Sequence, residues 1–127
     1  MQTLLIIAAI IALLVGVVHS ILGEILIFKK IRDSGVIPTK AVPPLEGRNI
    51  RILWATWHLA SVFGWAFAGI LYSIAMGYES ITTVVLNATM FAFAGGSLLV
   101  LIATKGRHPG WIGLLAVALL VFFSGAA

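Results

Sequence analysis

The sequence predicts an all-α integral membrane protein, a four-helix bundle formed as one domain over residues 1–127, and three observations predict it. Hydrophobic residues make up 61% of the chain and charged residues only 9%, whereas a soluble domain carries about a quarter charged side chains. The apolar residues come in unbroken runs of about 20 or more, long enough to cross roughly 30 Å of hydrocarbon at about 1.5 Å per residue. All eight Lys and Arg residues lie in, or at the edges of, two connections between these runs. That distribution reads as a membrane-topology signal, so the net charge of +4 points to no nucleic-acid partner. A β-barrel is excluded because the apolar residues are continuous and do not alternate.

The first helix is expected at about 3–28, interrupted only by His19 and Glu24. It reads as a retained span and not as a signal peptide, since no Lys or Arg precedes the apolar run and no small-x-small cleavage site follows it. Residues 29–49 form a long loop in which Pro38, Pro43 and Pro44 break any continuous helix. The second helix is expected at about 50–76, closed by Gly77-Tyr78-Glu79-Ser80, which carries an acid and no base. The third, at about 81–103, leads into a second basic connection with Lys105, Arg107 and His108. The fourth is expected at about 109–125, with Pro109 suited to a first helical turn and Trp111 to an interfacial anchor. It is short. Two basic connections on one side and an acidic one on the other place both termini on the non-cytoplasmic side by the positive-inside rule.

The chain has no cysteine, which excludes disulfides, thiolate metal sites and iron–sulfur clusters. Any haem or transition metal would need His, carboxylate or Met ligands.

Helical spacing then groups the side chains. Ala8, Ala12, Gly16 and Ser20 recur every four residues on the first helix, a small-residue ridge that lets another backbone approach closely and permits a homodimer. His19 falls on nearly the same face as Ala12, Gly16 and Gly23. Glu24 sits about 140° around the helix from His19, and shares its face with Ser20 instead. On the second helix Arg51, Trp54, Ala55, His58, Ser61, Val62, Trp65, Gly69 and Tyr72 form one stripe. His19 and His58 each lie roughly 10–14 Å inside the same interface and are expected to meet across the hairpin. Ala88, Ala92, Gly95 and Gly96 make a packing seam on the third helix, with Asn87 to one side.

Ionisable residues in a membrane span are costly and mark functional candidates. His19, Glu24, Arg51, His58 and His108 are therefore expected to form one site in the cytoplasmic half. The leading reading is a cofactor site for haem or a His-ligated transition metal, because neutral imidazole is a ligand for both and helix bundles commonly hold such centres. His19 and His58 would be the primary pair, Glu24 a further metal ligand, Arg51 and His108 supplementary, and Trp54, Trp57 and Trp65 the lining. Three other uses stand beside it. Arg51, Lys105, Arg107 and His108 could bind an anionic lipid headgroup or metabolite, with His58 or Glu24 for acid–base chemistry. Glu24 and Arg51 could be a structural ion pair in an accessory subunit of a larger membrane complex. A proton relay through Glu24, His19 and His58 is the fourth, although the outer half offers only Asn87, Ser73, Thr82 and Thr83 to continue it.

The strings His19-Ser20-Ile21-Leu22-Gly23-Glu24, Arg51-Ile52-Leu53-Trp54-Ala55-Thr56-Trp57-His58-Leu59 and Gly106-Arg107-His108-Pro109-Gly110-Trp111 resemble the recurring motifs of a family of small four-span bacterial membrane proteins without an assigned activity. The resemblance touches three of the four segments. It implies a multi-pass protein of the bacterial inner membrane in which His19, Glu24, Arg51, His58 and His108 belong together.

Overall fold

A computed structural model describes the chain except Tyr78 and Ala127, with Ala126 through its backbone alone. The expected acidic turn at Gly77–Ser80 therefore falls partly outside the described residues. Four α-helices follow one another: α1 over Gln2–Leu26, α2 over Gly47–Met76, α3 over Ile81–Thr104 and α4 over Gly110–Val121. A 3₁₀ turn, Phe28–Ile31, follows α1, and a π turn, Phe122–Ala126, follows α4.

Three of the helices, α1 to α3, are long and apolar enough to cross a membrane. The fourth expected span is shorter than the others. With 12 residues, α4 rises only about 18 Å by its α-helical part. The second helix begins at Gly47, earlier than the expected start near residue 50, because Glu46 and Asn49 form a reciprocal capping box that satisfies the free amides of its first turn. At the opposite end Gly77 closes α2 in the left-handed conformation, with φ 65°, and Ser80 caps α3 by accepting from the Thr83 amide at 3.2 Å.

Packing follows chain order, α1 on α2, α2 on α3 and α3 on α4. Among the described residues α1 has α2 as its one substantial helical neighbour, so it stands at the edge of the bundle with Ile, Leu and Val exposed around it. In water such a helix would be unstable; in lipid its exposed apolar surface is matched to its solvent.

The α1–α2 seam is made by tryptophan and glycine. The Trp65 indole lies where a side chain on Gly16 would be, and the Trp57 indole where one on Gly23 would be. Each ring also donates its N–H to an α1 carbonyl, Trp65 to Leu13 at 3.2 Å and Trp57 to His19 at 3.0 Å. A large apolar ring with one polar handle thus finds both a notch and an acceptor.

At the basic end a small core of Ala55, Val100 and Ala103 is covered by Ile52, Trp54, Trp111 and Leu114 and by Ile37 from the long loop. That loop lies against the helix ends: Pro38 is buried, and the Lys40 amide donates to the Ile31 carbonyl at 3.1 Å. Arg51 Nη1 donates to the Ala103 carbonyl at 3.0 Å, which ties the start of α2 to the end of α3. Both basic connections therefore sit at the same end of the bundle.

Candidate functional site

The structure divides the five expected site residues among three places. His58 and Glu24 meet in the α1–α2 interface. Arg51 and His108 line a separate cavity at the basic end. His19 stands apart from both.

The first cluster is a chain of hydrogen bonds between helices. The Ser20 hydroxyl donates to Ser61 Oγ at 2.8 Å and lies 2.9 Å from His58 Nδ1. His58 Nε2 lies 3.1 Å from Glu24 Oε1. The Glu24 carboxylate also accepts from Trp54 Nε1 and pairs with Arg32. Helical spacing explains the assembly: Ser20 and Glu24 are one turn apart on α1, and Trp54, His58 and Ser61 follow at four and three residues on α2. Ser61 is 2% exposed, so a partner for its hydroxyl matters energetically. Arg32 comes from beyond α1, where the 3₁₀ turn over Phe28–Ile31 gives way to extended backbone. Its guanidinium Nε is buried without a partner among the described residues.

Arg32 is the residue that sequence reasoning missed. The expected partner of Glu24 was Arg51, and the structure corrects this: Arg51 is spent on the Ala103 carbonyl, while the chain after α1 brings Arg32 back to the carboxylate. The separation of eight residues between Glu24 and Arg32 would have suggested the pair only if the helix had been known to end between them.

The His19 ring stacks on Trp57, with centroids 4.4 Å apart and planes 7° from parallel. It borders apolar grooves on the outer surface of α1 and α2, beside Ile11, Leu14, Val18 and Leu22 on one side. The expected meeting of His19 with His58 is therefore corrected. Trp57 stands against His19, and both nitrogens of His58 are within hydrogen-bonding distance of Ser20 and Glu24. The three tryptophans expected to line a cofactor pocket instead fill the seam and donate their N–H groups to α1. Among the described residues no group of three or more His or carboxylate side chains is placed to hold a metal ion. The donor set His19, His58 and Glu24 thus does not assemble around one point among the described residues.

The second cluster is a cavity of about 700 Å³ at the basic end. Arg48, Arg51, Lys105, Arg107 and His108 line it together with Thr39, Asn49 and Thr104, and no carboxylate does. Arg48 is held by the exposed Glu46 at 2.8 Å. His108 Nδ1 accepts from the Gly110 amide at 3.1 Å, which leaves Nε2–H as the free donor of the ring. Lys105 closes α3 in the left-handed conformation, φ 52°, followed by Gly106 at φ 73°, and this tight reversal is what carries Arg107 and His108 to the cavity.

Compared with family models, with curated proteins and with solved structures, the chain gives no significant match.

Proposed function

We propose that this small membrane protein binds an anionic group, a phosphate or carboxylate, in the cavity at its basic end, and that this end faces the cytoplasm of a bacterial cell. The observation that carries the reading is the lining: four Lys or Arg side chains and one imidazole around about 700 Å³ with no carboxylate among them. Such a lining is unfavourable without an anion, because like charges gathered around one space repel. A phosphate relieves this and accepts charge-assisted hydrogen bonds from Arg51 and Arg107 in a geometry that suits guanidinium groups. Concentration of all eight Lys and Arg at this end supports the cytoplasmic orientation.

The ligand chemistry fits a lipid headgroup or a free anion, and one experiment separates them. Purified protein in a neutral detergent is analysed by native mass spectrometry with phosphatidylglycerol, phosphatidylcholine or inorganic phosphate added. Retention of phosphatidylglycerol over phosphatidylcholine indicates a headgroup site, and retention of phosphate alone a soluble ligand. In either case the triple variant Arg51→Gln, Arg107→Gln, His108→Ala is expected to reduce retention about a hundredfold or more, each lost charge-assisted bond contributing about 1.5–3 kcal/mol. Equal retention by the parent and the variant refutes the reading.

A further inference from the structure

The chain Ser61–Ser20–His58–Glu24 is finite. It begins beside Arg32 at the basic end and stops at Ser61, buried between α1 and α2. Among the described residues no further polar side chain takes it onward, so it does not form a path across the membrane. What it does form is an alcohol, an imidazole and a carboxylate in series, and that series is a means of activating the alcohol.

We infer that Ser20 is a nucleophile activated by His58 and that the site cleaves acyl esters borne by membrane lipids. Glu24 is held by Arg32 and Trp54, and its Oε1 faces His58 Nε2 at 3.1 Å. A carboxylate in that position selects the tautomer with the proton on Nε2 and leaves Nδ1 as an acceptor. Ser20 Oγ lies 2.9 Å from that acceptor, and rotation about its C–O bond turns the hydroxyl hydrogen from Ser61 to His58. The arrangement has the relationships of a serine nucleophile, its base and the group that orients the base. Glu24 is the positioning residue.

The step balances with water as the co-reactant. Ser20 Oγ attacks the ester carbonyl carbon while its proton passes to His58 Nδ1. The bond from that carbon to the alcohol oxygen breaks, and the alcohol leaves with the proton. Water then attacks the acyl-Ser20 ester, gives a proton to His58, and the carboxylic acid departs as Ser20 Oγ recovers its hydrogen. The Ser61 hydroxyl, 2.8 Å from Ser20 Oγ, is the donor within reach of the carbonyl oxygen as it becomes negative.

Placement selects the substrate class. Ser20 and His58 lie within helices α1 and α2, both long and apolar enough to cross a membrane, and Ser61 borders a groove of about 330 Å³ whose other walls include Ala12, Gly16, His19, Gly64 and Phe67. Small residues leave a slot beside Ser61, whose Oγ is 2.8 Å from Ser20 Oγ, and a largely apolar slot suits an acyl chain. This inference uses none of the residues of the anion cavity, so either reading can fail without the other.

The test is covalent labelling with a long-chain alkyl fluorophosphonate. Intact protein in detergent is incubated with the probe, and tandem mass spectrometry locates the phosphonylated residue. The expected result is an adduct on Ser20, absent from Ser20→Ala and formed about a hundredfold more slowly in His58→Ala. A second measurement exploits the absence of native cysteine: Ser20→Cys should alkylate with iodoacetamide about tenfold faster than Ser61→Cys, and lose that advantage when His58→Ala is added. For the positioning residue, Glu24→Gln should slow labelling and Glu24→Asp should restore part of it. Parent protein that stays unlabelled at Ser20 while a serine hydrolase in the same detergent is labelled overturns the proposal, as does an adduct whose rate is indifferent to His58→Ala.

Discussion

The indole of Trp57 occupies the space that a side chain on Gly23 would fill, and its N–H donates to the carbonyl of His19 four residues earlier on the same helix. With Trp65 against Gly16, this contact sets the distance between α1 and α2, and with it the meeting of Ser20 and Glu24 with His58. It predicts that Gly23→Ala is destabilising by about 1–3 kcal/mol through overpacking. Gly64→Ala, where a new methyl group meets nothing within 4 Å, should instead be neutral or stabilising by up to about 1 kcal/mol from helix propensity. Denaturation in mixed micelles measures both; equal effects would mean that the ring does not sit in the notch.

The partner of Glu24 can be identified by coupling energies. A double-mutant cycle with Glu24→Gln and Arg32→Gln should give an interaction of about 0.5–2 kcal/mol, in the range of polar pairs between helices in membranes. The same cycle with Arg51→Gln should give a value near zero, since the structure places the Arg51 guanidinium on the Ala103 carbonyl. A larger coupling to Arg51 than to Arg32 would contradict the network described.

The two span histidines differ in what they hold. His19→Phe keeps a ring against Trp57 and should change stability by less than about 1 kcal/mol, the scale of one aromatic contact. His58→Phe removes two hydrogen bonds, one from Ser20 and one from Glu24, with an expected cost of about 1–3 kcal/mol. The same unfolding assay ranks them.

The turn after α3 offers a fourth test. Lys105, at φ 52°, is an L-residue in a conformation that glycine adopts freely, so Lys105→Gly should stabilise the fold by about 0.5–1 kcal/mol. It should also weaken anion retention by removing one of the cavity's charges. Gly106→Ala, at φ 73°, should destabilise by about 1 kcal/mol. Opposite signs in unfolding for adjacent residues would establish this turn; a destabilising Lys105→Gly would argue against it.

The sequence by itself determined the solvent and the direction of the charges. Runs of about 20 apolar residues have no stable place except lipid, and confinement of every Lys and Arg to two connections put one end of the bundle apart from the other. Helical periodicity also placed Ser20 with Glu24, and His58 with Trp54 and Ser61, since 3.6 residues per turn is a local property of each helix. Which face of α1 meets which face of α2 is a different matter. It depends on shape across the seam, on Trp57 against Gly23 and Trp65 against Gly16, and no local rule distinguishes a tryptophan that fills a glycine notch from one that lines a pocket. The rotation so chosen sends His19 to the outer surface and His58 inward. The loop obeys the same limit: that Arg32 returns to Glu24 while Arg51 turns to Ala103 follows from where α1 ends and how the chain after it folds back. Tertiary packing decided both, because a side chain's partner is set by the position of helix axes in space, which spacing along the chain does not encode.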